Sequence, residues 1–189
     1  MKAVSLLSGG LDSQLACQLI RRQGIEVIAV CFRTPFFGNN PSIQASAARL
    51  GIELHVLDIS DEYIPEILLA PRYGYGKNFN PCIDCHGFML NKAGNHMKDI
   101  GASFLITGEV LGQRPMSQNK SSLGLVEKLS GYPGLIVRPL SAKLLPPTIP
   151  EQEGWIDREQ LLDISGRGRT RQMALAEEFG IVDYPSPAG

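Results

Sequence analysis

Apolar positions along the chain follow two alternating habits. Short continuous runs end at glycine or turn residues, and longer stretches place their apolar residues on one helical face. Residues 2–7 form a continuous run that ends at Gly9 and Gly10, the pattern of a strand buried on both faces of a parallel sheet. From Leu11, apolar residues at 15, 16, 19 and 20 share a helical face, Arg21 and Arg22 suit a last turn, and Gly24 suits a terminator. The alternation continues through a strand at 26–32, a helix at 41–50 closed by Gly51, a strand at 53–57 and a helix at 60–69. Residues 71–82, PRYGYGKNFNPC, break it with Gly and Pro among aromatics and amides. A loop of that length predicts a binding or covering role. Beyond it the pattern predicts a helix at 84–100, strands at 102–107 and 135–137, and a helical tail at 157–164 and 171–179, with Asp157 as N-cap and Gln160 three residues on.

Strand and helix in series imply an α/β fold: a mostly parallel sheet with helices on both faces and right-handed crossovers. In such sheets the ligand sits at the carboxyl ends of the strands. Residues 8–13, 32–40, 107–118 and 138–143 then share one rim, and the loop carrying Cys82 and Cys85 can reach it.

Length and charge narrow the classes. A chain of 189 residues holds one core, or one core with a small appendage. No apolar run approaches the ~18–20 residues that cross a bilayer, and no basic region leads into an apolar core with a cleavage site. No membrane partner is expected, and the cytoplasm is the default compartment. A net charge of -1 offers nucleic acid no global field, so such a partner must be held by a local basic patch.

The stretch SGGLDS, residues 8–13, closes the first strand. Its glycines let the backbone approach an oxyanion, the hydroxyls of Ser8 and Ser13 can donate, and the helix from Leu11 offers its positive end. This makes a phosphate cradle without the spacing or lysine of a Walker loop. Asp12 would repel phosphate unless a cation lay between them, and Mg2+ is the usual bridge. A nucleotide with Mg2+ is implied. The plain alternative is a tight strand-to-helix turn capped by Ser8 or Asp12.

With this stretch the chain resembles the PP-loop family of ATP pyrophosphatases, whose fingerprint is S-G-G-x-D-S after the first strand. The segment LITGEVLGQRPMSQ, residues 105–118, resembles that of tRNA 4-thiouridine synthases at Thr107, Gly108, Glu109, Leu111, Gly112, Gln113, Ser117 and Gln118, as does RPL at 138–140. NPCIDC, residues 80–85, is similar to the N-P-x-x-x-C segment of tRNA 2-thiouridylases and places Cys85 on their catalytic cysteine. The resemblance covers residues 1–145. It implies an adenine nucleotide α-hydrolase-like, Rossmann-like fold and cleavage of ATP between the α and β phosphates. It also implies adenylation of a tRNA uridine followed by sulfur transfer, with Ser8, Gly9, Gly10, Asp12 and Ser13 on pyrophosphate and Mg2+. Glu109 and Gln113 are candidates for ribose, metal or base, Gly108 for close backbone approach, Thr107 for the strand end, and Arg138 for phosphate charge. The remaining residues, 146–189, read as a C-terminal helical extension.

Of the four cysteines, Cys17 and Cys31 lie in apolar segments and behave as small hydrophobes. Cys82 and Cys85 admit four readings: a redox dithiol, half of a zinc site, part of an iron-sulfur site, or a persulfide-carrying nucleophile beside a spectator. A complete zinc site lacks partners at suitable spacing, since His86 adjoins Cys85, His96 lies eleven residues on and no second C-x-x-C exists. Sulfur transfer fits better, with the thiol activated by Lys77, His86 or a helix N-terminus. Some sulfurtransferases of the superfamily hold a [4Fe-4S] cluster on three cysteines, of which Cys82 and Cys85 would be two. The thiouridylase pattern carries a second essential cysteine about a hundred residues on, and none follows Cys85 here. The chain stops at YPSPAG without a helix signal, which predicts a fragment whose missing piece carries it.

In SGRGRTRQ, residues 165–172, Arg167, Arg169 and Arg171 lie on a glycine-containing loop and can hold RNA phosphates, with Lys143 extending the patch. The expected partners are tRNA and a sulfur donor, either a persulfide carrier or sulfide, and a homo-oligomer stays open. Two other readings stay open as well: ATP chemistry on a small molecule, and a non-catalytic nucleotide or iron-sulfur partner of an RNA-modifying enzyme. Trp155 and His55 read as packing residues.

Overall fold

The computed structural model describes residues 1–38, 40–76 and 80–185. Five strands, β1 (Lys2–Leu6), β2 (Glu26–Arg33), β3 (Leu54–Asp58), β4 (Phe104–Ile106) and β5 (Ile136–Val137), form one sheet in the order β3-β2-β1-β4-β5. Every pairing is parallel, as doubly apolar strands require. The chain winds outward from β1 in both directions, so the crevice at the topological switch point opens between the carboxyl ends of β1 and β4.

The two sheet faces are buried by different helices. Ala3, Ala29, Phe104, Ile106 and Val137 pack with Ala16, Cys17 and Ile20 of α1 (Leu11–Arg21) and with Ala47 and Leu50 of α2 (Pro41–Leu50). Alanines on the strands let α1 lie close, and the Cys17 thiol donates to Ser5 Oγ at 3.1 Å, which pairs a hydroxyl buried within this layer. On the other face, Val4, Val30, Phe32, Leu105 and Ile136 meet Leu90, Ala93 and Met97 of α4 (Cys82–Asp99) and Val126 of α5 (Lys120–Ser130).

Three expectations are corrected. The helix at 60–69 is a single turn, α3 (Ser60–Tyr63), followed by a π-helical turn over Ile64–Leu68. Pro65 has no N–H to continue the α pattern, and Leu69 N donates to Ile64 O instead. The helix after the long loop starts at Cys82 rather than 84, which puts both cysteines in its first turn. The helix at 157–164 is one 3-10 turn, Arg158–Gln160, held by the Asp157 carboxylate, which accepts from Glu159 N and Gln160 Nε2. After it the backbone runs along 139–143 instead: Leu162 N donates to Pro139 O, Ile164 N to Leu140 O, and Lys143 N to Leu162 O.

The tail packs on the sheet through Ile156 and Leu161, with Trp155 beside them. After α6 (Ile149–Gln152), helix α7 (Thr170–Glu178) covers the outer side of α1, where Ala176 and Ile181 join Leu11, Leu15 and Leu19. Among the described residues no helix is long and apolar enough to cross a membrane.

Candidate functional site

The loop after β1 folds as a cradle. Gly9 takes φ 77°, a conformation that favours glycine, and a Cβ there would lie 3.1 Å from Ser42 Oγ. Ser13 Oγ donates to Gly10 O at 2.9 Å and receives Ser8 N at 3.3 Å, while Gly10 N donates to Ser8 Oγ. Gln14, fully buried, braces the turn by donating to Gly9 O at 3.0 Å. No side chain caps α1, so its first-turn amides are available to an anion.

Gly108 locks the neighbouring loop to this turn. A Cβ at Gly108 would stand 2.5 Å from Ser13 N and 2.6 Å from the Asp12 carbonyl carbon, so only glycine lets the strand-β4 loop touch the start of α1. From that loop Gln113 Nε2 donates to Asp12 Oδ2 at 3.0 Å. The other carboxylate oxygen, Oδ1, is buried without a hydrogen-bond partner. Burial pushes the Asp12 carboxyl above its usual range, against the lowering influence of Gln113, Arg169, Arg114 and Gln172. A buried, unpartnered carboxylate oxygen beside a phosphate-sized glycine turn suits a divalent cation carrying polyphosphate.

Glu109 is tied elsewhere. Its Oε2 accepts from Arg138 Nε at 2.9 Å and from Thr107 Oγ1 at 3.2 Å, and its Oε1 meets His86 Nδ1 at 3.0 Å. Burial raises the Glu109 carboxyl, but the Arg138 charge and the His86 contact outweigh it and bring the group down to about 2. Arg138 also reaches Glu127 Oε2 at 3.3 Å, and its Nη2 is buried without a partner. Glu109 thus serves as the anionic centre of a buried network joining β4, β5, α4 and α5. Ser117 and Gln118 are buried ahead of α5 rather than in its first turn, which Asn119 caps by accepting from Ser122 N.

Cys82 and Cys85 lie three residues apart on the first turn of α4, hence on one helical face. Asp84, between them and buried, accepts Arg72 N and Tyr73 N at 3.0 and 2.9 Å and so pins the incoming loop. Tyr63 Oη donates to Cys85 Sγ at 3.3 Å. Burial pushes the Cys85 thiol above its ordinary value; Tyr63 lowers it, and Cys82 and Asp84 raise it further. This corrects the expected activation by His86, whose Nδ1 faces Glu109 instead. Lys77 lies outside the described residues. Among the described residues no set of three or more His, Cys, Asp or Glu side chains is able to hold a metal ion, so they supply Cys82 and Cys85 but no third ligand for a cluster.

The basic candidates divide. Arg171 pairs with Asp163 Oδ1 at 2.6 Å and Lys143 with Glu159 Oε2 at 3.2 Å, both at the surface, while Arg167 is exposed. Arg169 turns inward toward Asp12. Beside Ser8 a cavity of about 580 Å3 opens between the ends of β1 and β2 and the segment 35–38, lined by Val30, Phe32, Phe37, Ile43 and Met89. Sequence reasoning missed this cavity, and also Gln14, Tyr63, Asp84, Glu127 and Gln172. Asp84 carries a local signal, an acid in a helix's first turn, and Gln14 braces a turn only five residues away; Tyr63, Glu127 and Gln172 are placed by contacts distant in sequence.

Residues 1–127 match the model of the tRNA methyl transferase HUP domain. Among curated proteins the chain is similar to the tRNA-specific 2-thiouridylase MnmA of Pelobacter propionicus, 33% identical over an alignment of 125 residues that covers 57% of this chain and 33% of that one. It is also similar to the probable tRNA sulfurtransferase of Thermococcus kodakarensis, 27% identical across 97% of this chain and 45% of that one. The chain therefore spans a third to under half of these relatives' lengths. Among solved structures, a 4-thiouridine synthetase in complex with RNA and bound ATP shares the fold, with a TM-score of 0.63 and 23% identity over 95% of this chain and 40% of that one. The U34-tRNA thiolase NcsA of Methanococcus maripaludis, solved with its [4Fe-4S] cluster, does so with a TM-score of 0.55 and 16% identity over 100% of this chain and 60% of that one.

Proposed function

The chain belongs to the family of the tRNA methyl transferase HUP domain, and we propose that it is the ATP-binding core of an enzyme that replaces a carbonyl oxygen of a tRNA uridine with sulfur. Residues 1–145 are the nucleotide domain and 146–189 its C-terminal extension. The observation that carries the reading is the joining of Asp12, Ser13 and Gly108 at the mouth of the β1–β4 crevice, where Gly108 meets the backbone of Ser13 at 2.5 Å from an added Cβ.

Ser8, Gly9, Gly10 and the first-turn amides of α1 would receive the β and γ phosphates, with Ser13 bracing the turn. Asp12 would hold Mg2+, which neutralises the phosphates when bound. The apolar cavity beside Ser8 suits the purine base. Thr107 and Arg138 hold Glu109 in place, and Gln113 aims the Asp12 carboxylate.

The uridine carbonyl oxygen attacks the α-phosphorus, the α–β phosphoanhydride bond breaks and pyrophosphate leaves. A persulfide on Cys85, loaded by a persulfide carrier or by sulfide with an oxidant, then attacks the activated carbon, and AMP departs with the former carbonyl oxygen. Cys82 as thiolate attacks the Cys85 sulfur, freeing the thiouridine and leaving a Cys82–Cys85 disulfide for a thiol reductant. The i, i+3 placement of the two cysteines supports this pairing. Arg167, Arg171 and Lys143 are assigned to RNA phosphates.

Pyrophosphate release from labelled ATP, measured with and without bulk unmodified tRNA, tests the reading. Release that depends on tRNA and is lost in Asp12→Asn is expected; ATP turnover indifferent to both would sink it.

A further inference from the structure

The tail does more than cover α1. Leu111 and Ser165 form a parallel bridge, Gly166 N donates to Leu111 O at 2.8 Å, and Gly112 sits at φ 75° against the Gly166 backbone. This clamp fixes the start of α7 beside the 107–113 loop. Helices α1 and α7 then run side by side in the same direction. At one end Asp12 faces Arg169 and Gln172, and at the other Arg22 Nη1 meets Glu178 Oε1 at 2.9 Å. Both N-termini therefore reach the same rim, and the first turn of α7 holds no acidic residue.

Three side chains there carry buried atoms with no hydrogen-bond partner. Gln172 is fully buried and close enough to Asp12 for its amide to favour that carboxylate's charge, yet neither its Nε2 nor its Oε1 reaches a partner with hydrogen-bond geometry. Arg169 Nε and Asp12 Oδ1 are buried without partners as well. A buried polar group left unpaired is costly and rare, so two such side chains beside an unpaired carboxylate oxygen mark a place where a polar ligand belongs. Arg169 is held over the Tyr184 ring, its guanidinium carbon 5.9 Å from the centroid, and so is not a loose surface cation.

We infer that Arg169 and Gln172 form the second wall of the phosphate and cation site, Arg169 binding phosphate oxygens and Gln172 positioning the Asp12 carboxylate. The inference rests on the nucleotide reading given above. It takes Arg169 out of the RNA-binding patch and makes the C-terminal segment part of the ATP site, so that nucleotide binding and docking of 164–172 stabilise each other.

The test is equilibrium binding of ATP and of adenosine to the protein, with the Mg2+ concentration for half-maximal ATP binding measured alongside. Arg169→Ala should weaken ATP roughly ten- to a hundred-fold, the scale of one charge-assisted hydrogen bond, and leave adenosine binding unchanged. Gln172→Met, which removes the unpaired amide at similar volume, should keep or raise the melting temperature while raising the Mg2+ requirement several-fold. An Arg169→Ala protein that binds ATP like wild type, or loses adenosine equally, overturns the phosphate role. Gln172→Met with an unaltered Mg2+ requirement overturns the positioning role. Wild-type protein that binds adenosine and ATP with equal affinity, indifferent to Mg2+, would instead overturn the underlying nucleotide–phosphate reading.

Discussion

Arg138 donates through Nε to Glu109 Oε2 at 2.9 Å, with both side chains less than a tenth exposed. Removing one partner leaves the other as an uncompensated buried charge. Arg138→Met should therefore cost about 3–5 kcal/mol in urea unfolding, and adding Glu109→Gln to it should restore part of the loss. Equal destabilisation by the single and double variants would refute the pairing.

The same pair sets an acid limit. Burial raises the Glu109 carboxyl, but Arg138 and His86 bring it to about 2 in the folded protein, against 4.5 ordinarily. A depressed carboxyl contributes stability that is present above its unfolded value and lost as pH falls through its folded one, here from about 4.5 toward about 2. Unfolding midpoints across that window should fall more steeply for wild type than for Glu109→Gln.

Asp12 predicts the opposite trade. Its carboxyl is pushed up by burial, so its charge at neutral pH weighs against the fold. Asp12→Asn should melt at the same temperature or higher, while Mg2+-dependent pyrophosphate release drops on the order of a hundred-fold. A variant that is both less stable and fully active would contradict the assignment.

Two glycines should respond in opposite directions to alanine. At Gly108 the added Cβ meets the backbone of Asp12 and Ser13 within 2.7 Å, so Gly108→Ala should cost about 1–3 kcal/mol and impair ATP binding. At Gly124, inside α5 with open space around it, Gly124→Ala should gain about 0.5–1 kcal/mol. Thermal melting of both variants checks the contrast.

Tyr63 donates to the Cys85 sulfur and so favours its thiolate. Tyr63→Phe should raise the thiol pKa further and slow alkylation of Cys85 several-fold near neutral pH, with the fold retained. An unchanged pH profile of alkylation would remove Tyr63 from the site.

Local chemistry announced the sheet and the cradle. The runs that became β1 and β2 are apolar at consecutive positions because both faces are covered, and Ser8 to Ser13 sits at the strand end where such a turn must lie. The tail misleads because Leu161 and Ile164 carry helical spacing, whereas the amides of Leu162 and Ile164 are taken by the carbonyls of Pro139 and Leu140. The partners of Asp12 were illegible for a related reason: Gln113 lies 101 residues away, and only the close approach of Gly108 and the Gly112–Gly166 contact brings these segments together. His86 stands beside Cys85 in the sequence, but its partner, Glu109, follows from the packing of α4 against β4.

ATP-driven sulfur transfer to tRNA through Cys85 ties three products to each turnover. It is tested most directly by incubating the anaerobically prepared protein with labelled ATP, Mg2+, a persulfide donor, a thiol reductant and unmodified tRNA, and quantifying AMP, pyrophosphate and thionucleosides together. The three products are expected in equal amounts for wild type, with thionucleoside lost in Cys85→Ser. Thionucleoside formed equally well by Cys85→Ser, or pyrophosphate released with no thionucleoside from wild type, would contradict it.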